Sequence, residues 1–104
     1  MGKNMGNLLK QAQQMQQKIS TLQKELEARE LETSTGGGMI KIKINGKQEI
    51  IDIQISKEAL EDNDVEMLEE LMKTSVNQAI KESQDMVSSA MSKVTGGINI
   101  PGLF

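Results

Sequence analysis

The chain has 104 residues, a formal net charge of −3, 37% hydrophobic and 1% aromatic residues, and neither cysteine nor histidine. That length suits a single domain with a modest core, which Leu, Ile, Val and Met must build almost alone. The missing side chains exclude thiol chemistry and disulfides, and with them most zinc sites and the usual acid–base catalysis near neutral pH. No apolar run approaches the ~20 residues of a membrane-spanning helix. Gln interrupts the apolar pairs of the N-terminal region, so no signal-peptide core forms, and the absence of cysteine suits a reducing compartment. The expectation is a soluble, cytoplasmic protein.

Met5, Leu8, Ala12, Met15, Ile19, Leu22 and Leu26 recur at alternate spacings of three and four. This is a heptad seam, with Met5, Ala12, Ile19 and Leu26 at a and Leu8, Met15 and Leu22 at d. Gln, Lys and Glu fill the other positions and favour helix. The pattern predicts a helix from about Gly6 to about Glu30, capped by Asn4 or Asn7 and ~37 Å long. A seam that long exceeds what a small sheet and one further helix can cover. A partner chain is therefore expected, with Leu8, Met15, Ile19 and Leu22 as the dimer interface.

The period then changes. Leu31, Thr33 and Thr35 alternate with Glu32 and Ser34, as in a short strand, and Gly36-Gly37-Gly38 marks a turn or bulge. Ile40, Ile42 and Ile44 alternate with Lys41 and Lys43. Asn45-Gly46 follows as a hairpin signal, since both central residues of a type I′ turn need positive φ. Ile51, Ile53 and Ile55 alternate with Asp52 and Gln54, giving a third strand. One sheet face is thus apolar and expected to be covered by helices, and the other is polar. Ser56 to Leu60 suits one helical turn. Asn63 and Glu66 suit a capping box for a last helix that runs to about Val94 and ends at Gly96-Gly97. The fold class is α+β, with a long N-terminal helix, a three-stranded antiparallel sheet and a long C-terminal helix (α-β-β-β-α). Residues 1–95 form a single domain and 96–104 a short C-terminal tail.

No motif selects a catalytic group. Asp62-Asn63-Asp64 with Glu66 lacks the glycine and terminal glutamate of a calcium loop and sits where carboxylates favour a helix start. Gly36-Gly37-Gly38 precedes a strand rather than a helix, so a phosphate cradle lacks its dipole. The expectation is a non-enzyme with no cofactor, no metal and no small-molecule substrate. The eight methionines read first as core residues on helix faces, and second as a pliable interface.

Charge is segregated along the chain. Residues 1–24 hold Lys3, Lys10, Lys18 and Lys24 and no acid, whereas residues 57–70 hold Lys57 against seven acids. Lys3, Lys10 and Lys24 fall at heptad position f, opposite the seam, and Lys18 falls at g. This stripe suits phosphate contact, although any amphipathic helix has a solvated face. Lys41 and Lys43 are a second candidate patch, or else charges that protect an exposed sheet. Arg29 is the only arginine, and Tyr, Trp and His are absent. Guanine reading and base stacking therefore lack their usual residues, and any nucleic-acid binding should read backbone or shape.

Several segments together resemble the YbaB/EbfC family of bacterial nucleoid-associated proteins. They are Gly6-Asn7-Leu8-Leu9-Lys10-Gln11-Ala12-Gln13-Gln14-Met15-Gln16, the run from Gly36-Gly37-Gly38 to Asn45-Gly46, and Leu60-Glu61-Asp62 with Glu66-Met67-Leu68-Glu69-Glu70-Leu71. Asn77, Ala79 and Ile98-Asn99-Ile100-Pro101-Gly102 also fit. The resemblance implies a homodimer with long helices projecting like tweezer arms, binding to double-stranded DNA, a part in nucleoid organisation or gene expression, and a cytoplasmic, nucleoid-associated address. It places DNA contact on the projecting helices, hence on Lys3, Lys10, Lys18 and Lys24, and it offers no catalytic motif. The last helix departs from the family pattern: Lys73 and Lys81 lie among Glu69, Glu70, Glu82 and Asp85, leaving Lys93 as its one candidate contact. Two other functions compete. One is a protein-interaction module docking through the acidic segment or the Met-rich helices. The other is membrane-surface binding, which the Gln-rich polar face and the missing aromatic anchor disfavour.

Overall fold

The structure is a computed structural model that describes residues 2–95, with side chains described for residues 5–94. The Gly96-Gly97 helix stop, the tail beyond it and the Lys3 side chain lie outside the described residues. The order is α1 (Gly2–Ala28), β1 (Glu30–Thr35), a short turn at Gly36–Gly38, β2 (Ile40–Asn45), β3 (Ile50–Ile55), a helical turn at Lys57–Leu60, and α2 (Val65–Thr95). The three strands form one antiparallel sheet in the order β1-β2-β3. This is the expected α-β-β-β-α architecture. α1 begins before Gly6 and ends before Glu30, which instead opens β1.

α2 lies across β1 and β2. Ile40, Ile42, Ile44 and Ala79 are fully buried there, with Leu31, Leu68, Leu71, Met72, Val76 and Ile80 packed around them. The strict alternation of β2 explains this, because successive side chains leave opposite faces of a strand. β3 does not share the cover. Ile50, Ile51, Ile53 and Ile55 are 40%, 48%, 39% and 44% exposed. The helix cover expected over the whole apolar face therefore stops at β2. A second cluster joins the two long helices: Ile19, Leu26 and Met91 are buried, with Leu22, Val87, Ala90 and Val94 against them.

The hairpin differs from the type I′ expectation. Its loop is Gly46–Gln48, closed by Asn45 N–H donating to the Glu49 carbonyl at 3.1 Å and Gln48 N–H donating to the Asn45 carbonyl at 3.1 Å. The left-handed residue is Gln48 (φ 64), the last of the three, as in three-residue hairpin loops. The Asn45 side chain organises the turn: its Oδ1 accepts from the Lys47 and Glu49 amides at 2.9 and 3.0 Å. Lys43 opposes Asp52 while Ile44 opposes Ile50, so Ile51 is the extra residue of a β-bulge.

α2 starts on Asp64 rather than on an Asn63 capping box. Asp64 Oδ1 accepts from Met67 N–H at 3.1 Å, and Asn63 takes a left-handed φ of 52 just ahead of it. The carboxylate also meets the positive end of the helix dipole. Asp64→Ala is expected to cost about 1 kcal/mol. In a domain of this size that lowers Tm by roughly 4–8 °C, which a thermal melt by circular dichroism would measure.

Two serines on α2 meet the sheet. Ser75 Oγ donates to the Leu71 carbonyl at 2.7 Å, so the Thr35 hydroxyl is the donor in its hydrogen bond to Ser75. Ser83, fully buried, donates to the Asn45 carbonyl at 2.7 Å. Ser83 interrupts the apolar stripe of α2 because that position grips the hairpin.

Candidate nucleic-acid interface

The direction of α1 is set at its C-terminal end. Leu26 is fully buried, and its carbonyl lies so near Gly46 that a Cβ built there would sit 1.9 Å from the Leu26 oxygen. The hairpin therefore meets both long helices: Ser83 of α2 hydrogen-bonds the Asn45 carbonyl, and the last turn of α1 abuts Gly46. From that junction α1 runs back through Leu22 and Ile19 while α2 runs forward through Val87, Ala90, Met91 and Val94. The two helices are antiparallel and extend away from the sheet together. The molecule is accordingly elongated, with extents of 74 × 20 × 17 Å.

The seam divides along this arm. Ile19 and Leu22, expected at a dimer interface, find a partner in the chain's own α2. Leu8 and Met15 are exposed. Every described residue from Met5 to Lys18 is exposed, so that half of α1 stands clear of the rest of the chain.

Lys10, Lys18 and Lys24 are exposed. With the seam at Ile19, Leu22 and Leu26 turned to α2, the f and g positions carry these lysines outward or sideways. At 1.5 Å per residue, Lys10 to Lys24 spans ~21 Å of the arm. Among the described residues the one ion pair is Lys73 with Glu70, at 2.8 Å on the surface of α2. Lys18 shares a groove of about 560 Å³ with Gln14, Gln17, Thr21, Leu22 and Glu25. Amide and hydroxyl donors beside an ammonium are groups that commonly contact phosphate and sugar. These polar partners carry no charge signal in the sequence; only their shared helix face, at steps of three and four, would have pointed to them. Lys24 stands differently, in a groove with Glu27, Ala28, Asn45, Lys47 and Glu49. The two carboxylates there reduce its pull on an anion.

Lys93 is exposed in the last turn of α2, next to Val94, which packs in the cluster containing Ile19. It thus lies at the same end of the helix pair as Lys18, and a cation there also suits the helix C-terminus. Lys41 and Lys43 do not form a basic patch. On the polar sheet face Lys43 is flanked across the strands by Glu32 and Asp52, and Lys41 by Ser34 and Gln54. Opposite charges on neighbouring strands stabilise the sheet and cancel the field.

A small α+β body holds a projecting, basic helical arm, and this defines a binding scaffold. Comparison with known proteins identifies its kind. Residues 1–98 match the YbaB/EbfC DNA-binding family, and the chain belongs to that family. It is a DNA-binding family, not a family of enzymes. The chain is 53% identical over 104 residues to a nucleoid-associated protein of Desulforamulus reducens, covering 100% of this chain and 99% of that one. It is 47% identical over 103 residues to a nucleoid-associated protein of Thermoanaerobacter pseudethanolicus, covering 99% and 93%. The fold is similar to the crystal structure of an uncharacterized protein from Helicobacter pylori, with a TM-score of 0.61 at 24% identity over 76% of this chain and 92% of that one. Among the described residues, no helix is long and apolar enough to cross a membrane, and no group of three or more acids is placed to hold a metal ion.

Proposed function

We propose that this chain is a nucleoid-associated protein that binds double-stranded DNA as a homodimer, through the lysine face of α1 and with little sequence preference. The carrying observation is the arm itself: Lys10 and Lys18 stand exposed on a helix that contains no acid before Glu25. Lys24 and Lys93, both exposed, are further candidate contacts, with Lys24 the weaker beside Glu27 and Glu49, and Lys3 is a candidate from the sequence alone. Contact through ammonium and amide groups grips phosphates. A single arginine and the lack of Tyr, Trp and His leave little means of reading base edges. The work is that of a protein coating or bridging chromosomal DNA in the cytoplasm of a bacterium. Fluorescence anisotropy of two unrelated labelled duplexes across a salt series tests this. Binding of both, with log K falling by about 0.9 per phosphate contacted, is the expected result; no binding even at low salt refutes it.

The homodimer has a ready surface in β3. All six residues of this edge strand are exposed, four of them isoleucines, and its outer backbone edge is open. A long apolar edge is a template for another strand, and natural proteins cover or charge such edges. Pairing of β3 with β3 of a second copy would cover it and carry one arm on each side. Ile53→Lys is expected to convert the dimer to a monomer in analytical ultracentrifugation at micromolar concentration. A dimer that survives Ile53→Lys would move the contact elsewhere, first to Leu8 and Met15.

A second reading rests on a groove of about 290 Å³ lined by Ala59, Leu60, Asn63, Asp64, Val65 and Leu68, with exposed acids around it. It suits docking of a basic, apolar segment of another protein. One stoichiometric partner together with no DNA binding at low salt would favour it.

A further inference from the structure

The seam of α1 is only half covered. Ile19, Leu22 and Leu26 pack with α2, but Met5, Leu8 and Met15 are 67%, 64% and 43% exposed on the same line, and Ala12 is exposed between them. Leu9, at heptad position e beside the seam, is 62% exposed as well. Neither the lysine face nor the β3 edge uses these side chains. A row of large apolar residues on a projecting helix marks an interaction surface.

We propose that the occupant is the same stretch of α1 from a second copy, paired antiparallel about a two-fold axis level with Lys10. Met5 then faces Met15, and Leu8 faces Ala12, in both directions. Three observations carry this. The first is self-complementarity. Reversing one helix sets its a positions against the d positions of the other. Here that places large Leu8 on small Ala12, and flexible Met5 on flexible Met15. The same axis brings the two copies of Leu9 together on one flank, which accounts for an apolar residue at an e position.

The second is continuity with the packing inside the chain. α2 occupies the seam from Ile19 onward, so a further helix must arrive where α2 leaves off. In the antiparallel arrangement the incoming helix, which starts at Gly2, reaches Lys18 and stops short of Ile19. A parallel pair would instead drive the two α2 helices together at Ile19. It would also set Ala12 against Ala12, leaving a gap in the seam. The third is charge. Lys10 and Lys24, at f, point away from the seam, and Gln11 and Gln16 beside it are neutral. Lys18, at g, stays on the rim. Pairing therefore buries no charge and leaves the basic face open.

Area sets the strength. Covering these side chains removes on the order of 500 Å² per arm and about 1,000 Å² in all, at the low end of specific interfaces. The contact is accordingly weak and concentration-dependent. It involves a surface distinct from β3. Two different two-fold contacts on one chain need not close on themselves, so together they link dimers into longer assemblies. That last step rests on the β3 dimer proposed above; the arm pairing itself rests on neither the β3 dimer nor DNA binding.

The test is sedimentation of nucleic-acid-free protein from low micromolar to millimolar concentration. The parent chain is expected to grow past its basal state, and the double variant Leu8→Gln, Met15→Gln to remain there. Both positions are exposed, and glutamine keeps the helix. High salt should leave this association intact, in contrast to phosphate contacts. Ile53→Lys is expected to pair through the arm at the high end of the range, and to lose that pairing when Leu8→Gln and Met15→Gln are added. Disulfides read the register, because the chain has no cysteine of its own. A mixture of Leu8→Cys and Ala12→Cys chains should cross-link under mild oxidation. Either variant alone should not, since like positions lie ~6 Å apart along the axis. Cross-linking of each variant with itself would mean parallel pairing and would overturn the proposal. So would a mixture that fails to cross-link, growth indifferent to Leu8→Gln with Met15→Gln, or no growth with concentration. Each of these results stands whether or not the protein binds DNA.

Discussion

Gly46→Ala is expected to be among the most destabilising single substitutions in this chain, at about 3 kcal/mol. The corresponding fall in Tm is roughly 12–24 °C for a domain of about this size, measured by thermal melting against the parent chain. The added methyl would lie 1.9 Å from the Leu26 carbonyl oxygen, 2.6 Å from its carbon and 3.2 Å from the Glu27 Cα. All three are backbone atoms in the last turn of a helix, so no side-chain rotation relieves the overlap. The hairpin cannot shift freely either, because the buried Ser83 hydroxyl ties the Asn45 carbonyl to α2 at 2.7 Å. Relief requires α1 to swing away from the body, uncovering the fully buried Leu26. Gly37→Ala is the discriminating control. Gly37 has a φ of +66, but a methyl added there would meet nothing within 4 Å, so alanine costs only about 1 kcal/mol of conformational strain. A loss at Gly46 no larger than that at Gly37 would mean that α1 yields readily to the added methyl and that its close approach does not make Gly46 necessary.

The Gly46 case marks where the sequence is legible and where it is not. Periodicity carries the element order, because seams at steps of three and four and strict alternation of Ile with Lys each have one geometric solution. Asn45-Gly46 correctly marks a hairpin, but the reason for glycine lies elsewhere. Gly46 does not take a positive φ; it is there because a helix carbonyl from twenty residues earlier abuts it. A contact so distant in sequence leaves no local trace. The start of α2 shifts by one residue for a similar reason. Asn63 and Asp64 are both good caps, and the left-handed turn at Asn63 decides that Asp64 supplies the oxygen.

A periodic pattern tells which face is apolar, not what covers it. The same logic that correctly buries Ile40, Ile42 and Ile44 also suggests cover for Ile53 and Ile55, which one helix across two strands does not reach. Likewise the heptad seam points to a partner chain, whereas its lower half is satisfied by Val87, Ala90, Met91 and Val94 within the chain. In the basic arm, Lys10 and Lys18 are readable because charge segregation is visible in one dimension. The weakening of Lys24 by Glu49, and of Lys43 by Glu32 and Asp52, is not, because those neighbours arrive through the hairpin and the sheet register.

Those differences among the lysines yield the second large effect. The double variant Lys10→Gln, Lys18→Gln is expected to weaken DNA binding on the order of 100-fold near 0.15 M salt, equally for unrelated sequences, because each lost phosphate contact forfeits the release of its counterion. The salt dependence is the sharper readout. Each phosphate contact contributes about 0.9 to the slope of log K against log salt. A homodimer presents both lysines twice, so the slope should flatten by as much as ~3.6 if all of them touch phosphate. Lys41→Gln with Lys43→Gln removes the same charge from each protomer, but from a sheet face where acids already balance Lys43, and should leave affinity nearly unchanged. The comparison separates a local grip from a general attraction. If both pairs weakened binding alike, net charge alone would govern association and the arm would have no special part. If neither did, the contact would lie off α1 altogether. Only a loss confined to Lys10 and Lys18, with a flatter slope and no change in sequence preference, places the phosphates along the projecting half of the helix, where Gln14, Gln17 and Thr21 stand beside Lys18 to complete the contact.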